Sequence, residues 1–104
     1  PQVRAVVETR DGHLWVGTSS GLFERRPDGT LRRYDAENGL PRDFVVALHE
    51  DARGRLWVGT SDGLAVREGG GFRPIPIRQW FDAQDVFGIH EDEAGVLWFA
   101  TDRG

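Results

Sequence analysis

The sequence predicts an all-β fold made of a repeated four-stranded antiparallel unit, and three observations carry that prediction. The first is an internal repeat. Residues 3–22 (VRAVVETRDGHLWVGTSSGL) and 45–64 (VVALHEDARGRLWVGTSDGL) align without gaps and agree at 12 of 20 positions. Residues 86–104 (VFGIHEDEAGVLWFATDRG) agree with 45–63 at nine of 19, so Trp15, Trp57 and Trp98 recur 42 and 41 residues apart. That period suits four-stranded propeller blades or paired-helix repeats. The second observation is turn chemistry: 14 glycines in 104 residues are too many for a helical repeat and suit a protein made of turns. The third is that LWVGT and VVAL are apolar on both alternating faces, as strands covered on both sides are.

Taken in order, Val3 to Glu8, Val45 to His49 and Val86 to His90 read as first strands. The gaps TRDGH, DARGR and DEAGV each place a glycine (Gly12, Gly54, Gly95) at the same offset. Asp51 and Asp92 can bond amides ahead of them while the glycine takes positive φ, which closes a short hairpin. Leu14 to Thr18, Leu56 to Thr60 and Leu97 to Thr101 follow as second strands. A further glycine turn (SSG, SDG, DRG) leads to Leu22–Arg25 and Leu64–Arg67. A PDG or GGG turn then leads to Leu31–Tyr34 and Phe72–Ile77. Sheets covered on both faces stack around a ring, so the prediction sharpens to a β-propeller fragment of about two and a half blades. It occupies residues 1–104 as a single partial propeller, with blade one about 3–35, blade two about 44–78 and an incomplete third at 86–104. Trp15, Trp57 and Trp98 are expected to fill the same inter-blade layer. Gly17 and Gly59 are expected where a side chain would obstruct close sheet packing or a bulge, and Ala100 takes that place in the third copy.

Composition narrows the function. The net charge is −4, and the basic residues cluster only as Arg25–Arg26 and Arg32–Arg33, which argues against nucleic-acid binding. No cysteine is present, which excludes disulfides, thiol catalysis and cysteine-based zinc sites. No apolar run reaches the length of a membrane helix. No signal peptide is visible, and the start at Pro1, inside a strand approach, reads as a piece excised from a longer protein.

The pattern as a whole stands as Asn38-Gly39-Leu40-Pro41, Val45 to Leu48, Glu50-Asp51, Gly54, Leu56-Trp57-Val58-Gly59-Thr60 and Gly63-Leu64. It resembles the two-component regulator propeller repeat. Copy one carries Thr9 for the aspartate; copy three carries Phe99-Ala100 and has no Asn-Gly-Leu-Pro box. The resemblance implies a piece of the extracytoplasmic (periplasmic or extracellular) sensor region of bacterial hybrid histidine kinases and related regulators. Complete propellers of that family have about seven blades, and many members respond to carbohydrates.

Candidate binding residues are sought where loops share one end of the propeller, at the turn after each second strand and at the inter-blade connections. Trp80 breaks the repeat, and with Arg78 and Gln79 beside it could form a sugar-stacking platform; packing into an inter-blade seam is the bland alternative. Arg42, Asp43, Asp62 and Arg103 lie on the same face. His49 and His90 hold equivalent places on successive blades, too far apart to share a metal ion, so no metal or other cofactor is expected. Glu8, Glu50, Glu91, Asp51 and Asp92 recur with the repeat and read as turn and seam hydrogen-bonders, not as an acid–base pair, which needs two different environments. No catalytic residue is assigned. The leading reading is a non-enzymatic ligand-sensing or interaction module. The alternatives are a streptogramin-lyase-like propeller enzyme and a purely structural or engineered blade fragment that self-assembles into a ring. Its expected partners are a carbohydrate or other small ligand, and either further blades of a longer chain or other copies of itself.

Overall fold

The computed structural model describes residues 2–41, 44–75 and 86–101, excluding the side chain of Phe87. Among the described residues, ten strands form three antiparallel sheets. Blade one holds β1 (Val3–Glu8), β2 (Leu14–Thr18), β3 (Gly21–Arg25) and β4 (Leu31–Tyr34) in that spatial order. Blade two repeats it with β5 (Val45–Glu50), β6 (Leu56–Thr60), β7 (Gly63–Glu68) and β8 (Gly71–Ile75). The third sheet pairs β9 (Val86–Glu91) with β10 (Leu97–Thr101). The predicted all-β propeller fragment is what forms.

The first turn of each blade is built as its sequence requires. Gly54 N–H donates to the Asp51 carbonyl at 3.0 Å, and Asp51 N–H donates to the Arg55 carbonyl at 2.8 Å. Gly54 takes φ 81° between them, a conformation that a Cβ opposes. Thr9–His13 and Asp92–Val96 make the same pair of bonds. The second turn explains the threonine that ends each LWVGT. Thr60 Oγ1 donates to the Gly63 carbonyl at 2.9 Å and accepts Asp62 N–H at 3.2 Å. Thr18 does the same with Gly21 and Ser20 at 2.9 and 3.0 Å.

Blade two lies against blade one through β5 and β6. Val45, Leu56 and Val58 are buried in one cluster with Trp15, Leu22 and Tyr34. A Cβ on Gly17 would overlap Val45, and one on Gly59 would overlap the Val86 carbonyl of the next blade. Both glycines also lie opposite the bulge in their partner strand, between Val3 and Ala5 and between Val45 and Ala47. Close packing and bulge thus coincide. The third sheet solves the same crossing in reverse. Ala5 faces Gly17 and Ala47 faces Gly59, whereas Gly88 faces Ala100.

The three tryptophans do occupy equivalent places, but their burial is graded. Trp15 is fully buried, with Phe72 of blade two edge-on at 6.1 Å and the Arg67 guanidinium 4.9 Å from its ring centroid. Burying such an indole removes on the order of 200 Å² from water. Trp57 is half-buried and meets Phe99 of the two-stranded third sheet at 5.8 Å. Trp98 is 60% exposed. Trp15 and Trp57 are each covered by the blade that follows, and no blade following Trp98 is among the described residues.

The connection between blades one and two contains a 3₁₀ turn at Ala36–Asn38, where the sequence pattern suggests only a loop. Asp35 caps it, accepting Glu37 N–H, while the Asn38 side chain returns to the Asp35 backbone N–H. Gly39 ends it at φ 102°, in a place where a Cβ would collide with the Phe72 carbonyl. Leu40 is buried in the seam. Pro74 sits in β8, the outer edge strand, where its missing N–H is tolerated.

Candidate functional site

The repeated Glu-Asp pair divides its work between two blades. Asp51 stays in its own blade: Oδ1 accepts Arg53 N–H and Arg55 N–H at 2.9 and 2.8 Å, and Oδ2 accepts Trp57 Nε1 at 2.9 Å and Arg55 Nε at 2.8 Å. Burial would raise its pKa, but the bonds from Trp57, Arg55 and Arg53 outweigh that and lower it to about 2. Asp92 repeats the arrangement with Ala94, Val96 and Trp98. In blade one Thr9 Oγ1 accepts Trp15 Nε1 at 3.3 Å and donates to Asp11, whose carboxylate accepts His13 N–H. The lost aspartate is thus replaced by a threonine and an aspartate two residues on.

The glutamates reach backward across the seam. Glu50 accepts Arg10 N–H of blade one at 3.0 Å, and Glu91 accepts Ala52 N–H of blade two at 3.1 Å. Arg10 and Ala52 are equivalent turn residues, so the same latch closes both seams. His49 Nε2 lies 3.1 Å from Glu91 Oε1. Glu50, Glu91, Asp51 and Asp92 therefore act as the turn and seam hydrogen-bonders that the sequence suggested.

One carboxylate carries no mark in the repeat pattern. Glu24 in β3 is fully buried beside the seam of blades one and two. Its oxygens accept the Tyr34 hydroxyl at 2.7 Å and face His13 Nδ1 at 2.5 Å, with Arg26 and Arg67 at 3.6 and 3.9 Å. Burial raises its pKa, yet the bonds from Tyr34 and His13 and the charges of Arg67 and Arg26 bring it below the ordinary carboxylate value. Glu24 is thus an anion held by cations from both blades. Its counterparts in blade two are apolar, Val66 for Glu24 and Ile75 for Tyr34. That substitution was the available signal.

A cleft of about 350 Å³ opens between the first turns of blade two and the third sheet. Arg53, Arg55, Asp51, Glu91 and Leu97 line it. Its two carboxylates, Asp51 and Glu91, are already committed as acceptors within the protein. Among the described residues, no group of three or more acidic or histidine side chains converges as a metal cluster.

The two-component regulator propeller family matches residues 1–20, 39–62 and 81–103, one stretch in each blade. This chain belongs to that family. The fold is also that of a solved structure, the extracellular domain of a hybrid two-component system of B. thetaiotaomicron (BT3049). The two align with a TM-score of 0.80 at 20% identity, over 94% of this chain and 14% of that one. The chain thus spans a small fraction of the length of that relative. No curated protein matches it.

Of the binding residues expected in this regulator propeller, Asp62 alone falls among the described residues. It sits half-buried in the turn between β6 and β7, its N–H bonded to Thr60. That turn lies at the same end as the inter-blade connection, as predicted: Ser61 N–H donates to the Phe44 carbonyl at 3.1 Å, and Gly63 packs near Pro41. Arg42, Asp43, Arg78, Gln79, Trp80 and Arg103 lie outside the described residues. The Arg53–Arg55 cleft is at the opposite end, by the first turns. Its sequence signal is the pair of arginines flanking Gly54. No helix of the described residues is long and apolar enough to cross a membrane.

Proposed function

We propose that this chain is a non-enzymatic ligand-sensing or interaction module, belonging to the extracytoplasmic propeller sensor of a bacterial two-component regulator and responsive to carbohydrate. The observation that carries the reading is how the repeat spends its polar residues. The aspartate, glutamate and threonine that recur from blade to blade are committed to turns and seams. Recognition then falls to residues that break the repeat, with Trp80 foremost. An indole offers a flat apolar face to the C–H side of a sugar ring, and Arg78 and Gln79 supply donors for its hydroxyls. Arg42, Asp43, Asp62 and Arg103 supply further polar groups. Family membership and the likeness to an extracellular sensor domain support a periplasmic or extracellular location.

Titration calorimetry of the chain against neutral and acidic oligosaccharides tests the proposal. Saturable heat with one glycan class, weakened at least about tenfold by Trp80→Ala, is expected; such a loss corresponds to about 1.4 kcal/mol. Absence of binding across the panel would remove carbohydrate from the proposal. Binding indifferent to Trp80→Ala would move the site elsewhere, with the Arg53–Arg55 cleft next.

A further inference from the structure

His13 and Arg67, one from each blade, converge on a single carboxylate oxygen in the first seam. Glu24 Oε2 lies 2.5 Å from His13 Nδ1 of blade one and 3.9 Å from Arg67 Nη2 of blade two. The other oxygen is held inside blade one, by the Tyr34 hydroxyl at 2.7 Å and Arg26 Nε at 3.6 Å. Glu24 pairs with Trp15 and Arg67 stacks on its ring, so the cluster lies inside the seam that joins blades one and two. Blade two does not repeat it: Val66 stands for Glu24 and Arg55 for His13.

The charged groups that face His13 are Glu24 from β3, Asp11 from its own turn (Oδ2 3.8 Å from Nε2), Arg26 just beyond β3, and Arg67 from β7. Arg32 of β4 is turned onto the Tyr34 ring. Both carboxylates stay ionised at neutral and mildly acid pH. The Thr9 hydroxyl holds Asp11 below its ordinary value. Burial raises Glu24, but the bonds from Tyr34 and His13 bring it below its own. With a neutral imidazole, the carboxylates of Asp11 and Glu24 therefore balance the guanidiniums of Arg26 and Arg67. Histidine is the side chain that gains its proton between about pH 8 and 5. That proton adds an uncompensated positive charge at the oxygen Arg67 shares. Its attraction to Glu24 and Asp11 stays within blade one, whereas its repulsion of Arg67 acts across the seam.

We propose that His13 and Arg67 compete for Glu24 Oε2, so that protonation of His13 releases Arg67 and loosens the seam between blades one and two. The cluster is then a proton-sensitive joint within the propeller. It owes nothing to the carbohydrate reading, and the failure of either leaves the other standing. Its effect is two-sided: acid firms blade one yet weakens the hold of blade one on blade two.

Amide exchange followed by nuclear magnetic resonance tests the proposal, because Arg10 N–H donates to Glu50 across the same seam. Corrected for the intrinsic exchange rate, its protection is expected to fall at least about threefold between about pH 8 and 5.5, the size of a partly exposed ion pair. The midpoint of the fall should coincide with the titration of the His13 ring protons and not with that of His49 or His90. His13→Gln carries a donor without a charge and should hold protection at its high-pH level throughout. His13→Lys, a permanent cation, should hold it at the low level. If circular dichroism shows His13→Gln unfolded, the midpoint in the unaltered chain decides. Protection independent of pH in the unaltered chain overturns the proposal. So does a midpoint that does not follow His13, or a fall that persists in His13→Gln.

Discussion

Trp57 Nε1 lies 2.9 Å from Asp51 Oδ2, so the carboxylate that closes a blade's first turn also fixes the indole that enters the next seam. Turn and seam are thereby one unit. Asp51→Asn keeps one acceptor but loses the charge that holds Arg55 and two backbone amides. It should cost about 1–3 kcal/mol at neutral pH. Because the folded pKa of about 2 lies below the ordinary 3.8, ionised Asp51 contributes stability that is whole above 3.8. That contribution fades as pH falls through 3.8 toward 2. Urea melts of both proteins should therefore converge over that window.

The latch predicts an asymmetry between equivalent glutamates. Glu50 is bonded to blade one, whereas Glu8 faces outward, where no preceding blade lies among the described residues. Glu50→Ala should lower stability by about 1–2 kcal/mol, and Glu8→Ala by less than about 0.5 kcal/mol. Denaturant midpoints of the two variants check the pair. Equal losses would refute the latch.

Two glycines of blade two should respond differently to alanine. A Cβ on Gly59 runs into the Val86 backbone, while one on Gly54 meets nothing within 4 Å. Gly54→Ala carries only the penalty of its positive φ, roughly 1–2 kcal/mol. Gly59→Ala must push blade two and the third sheet apart and should cost more than about 2 kcal/mol, at the upper end of overpacking. It should also shift the emission of Trp57, which Phe99 of the third sheet contacts.

Glu24 and Tyr34 should act as a coupled pair. Each single change, Glu24→Gln or Tyr34→Phe, disturbs a buried hydrogen bond of 2.7 Å and should cost about 1–3 kcal/mol. The double variant should fall short of the sum by about 0.5–2 kcal/mol in a double-mutant cycle. Additive losses would mean that the two side chains act independently.

Much of the architecture was legible because its causes are local and repeated. Gly12, Gly54 and Gly95 announce their turns, and the alternation around Trp15 and Trp57 announces covered strands. Glu50 and Asp51 were readable as turn and seam residues, but not which blade each serves, since that depends on the stacking of sheets about 40 residues apart. Glu24 looked like any strand glutamate. Its burial is set by Tyr34 and by Arg67 of the next blade, neither of which is near it in sequence. The 3₁₀ turn was hidden because Asp35 and Asn38 also suit a plain loop. Trp98 could not be told from Trp15 by its own surroundings, because what buries a tryptophan here is the following blade.

The exchange of places between Gly88 and Ala100 carries a lesson for recombination. What the crossing of the first two strands fixes is their combined bulk, one methyl group, and not which strand bears it. Swapping β10 alone for β6 would put glycine opposite glycine and leave a hole; the reverse swap would put two methyl groups face to face. The two-strand hairpin is therefore the smallest piece that can be traded between blades without disturbing the fit.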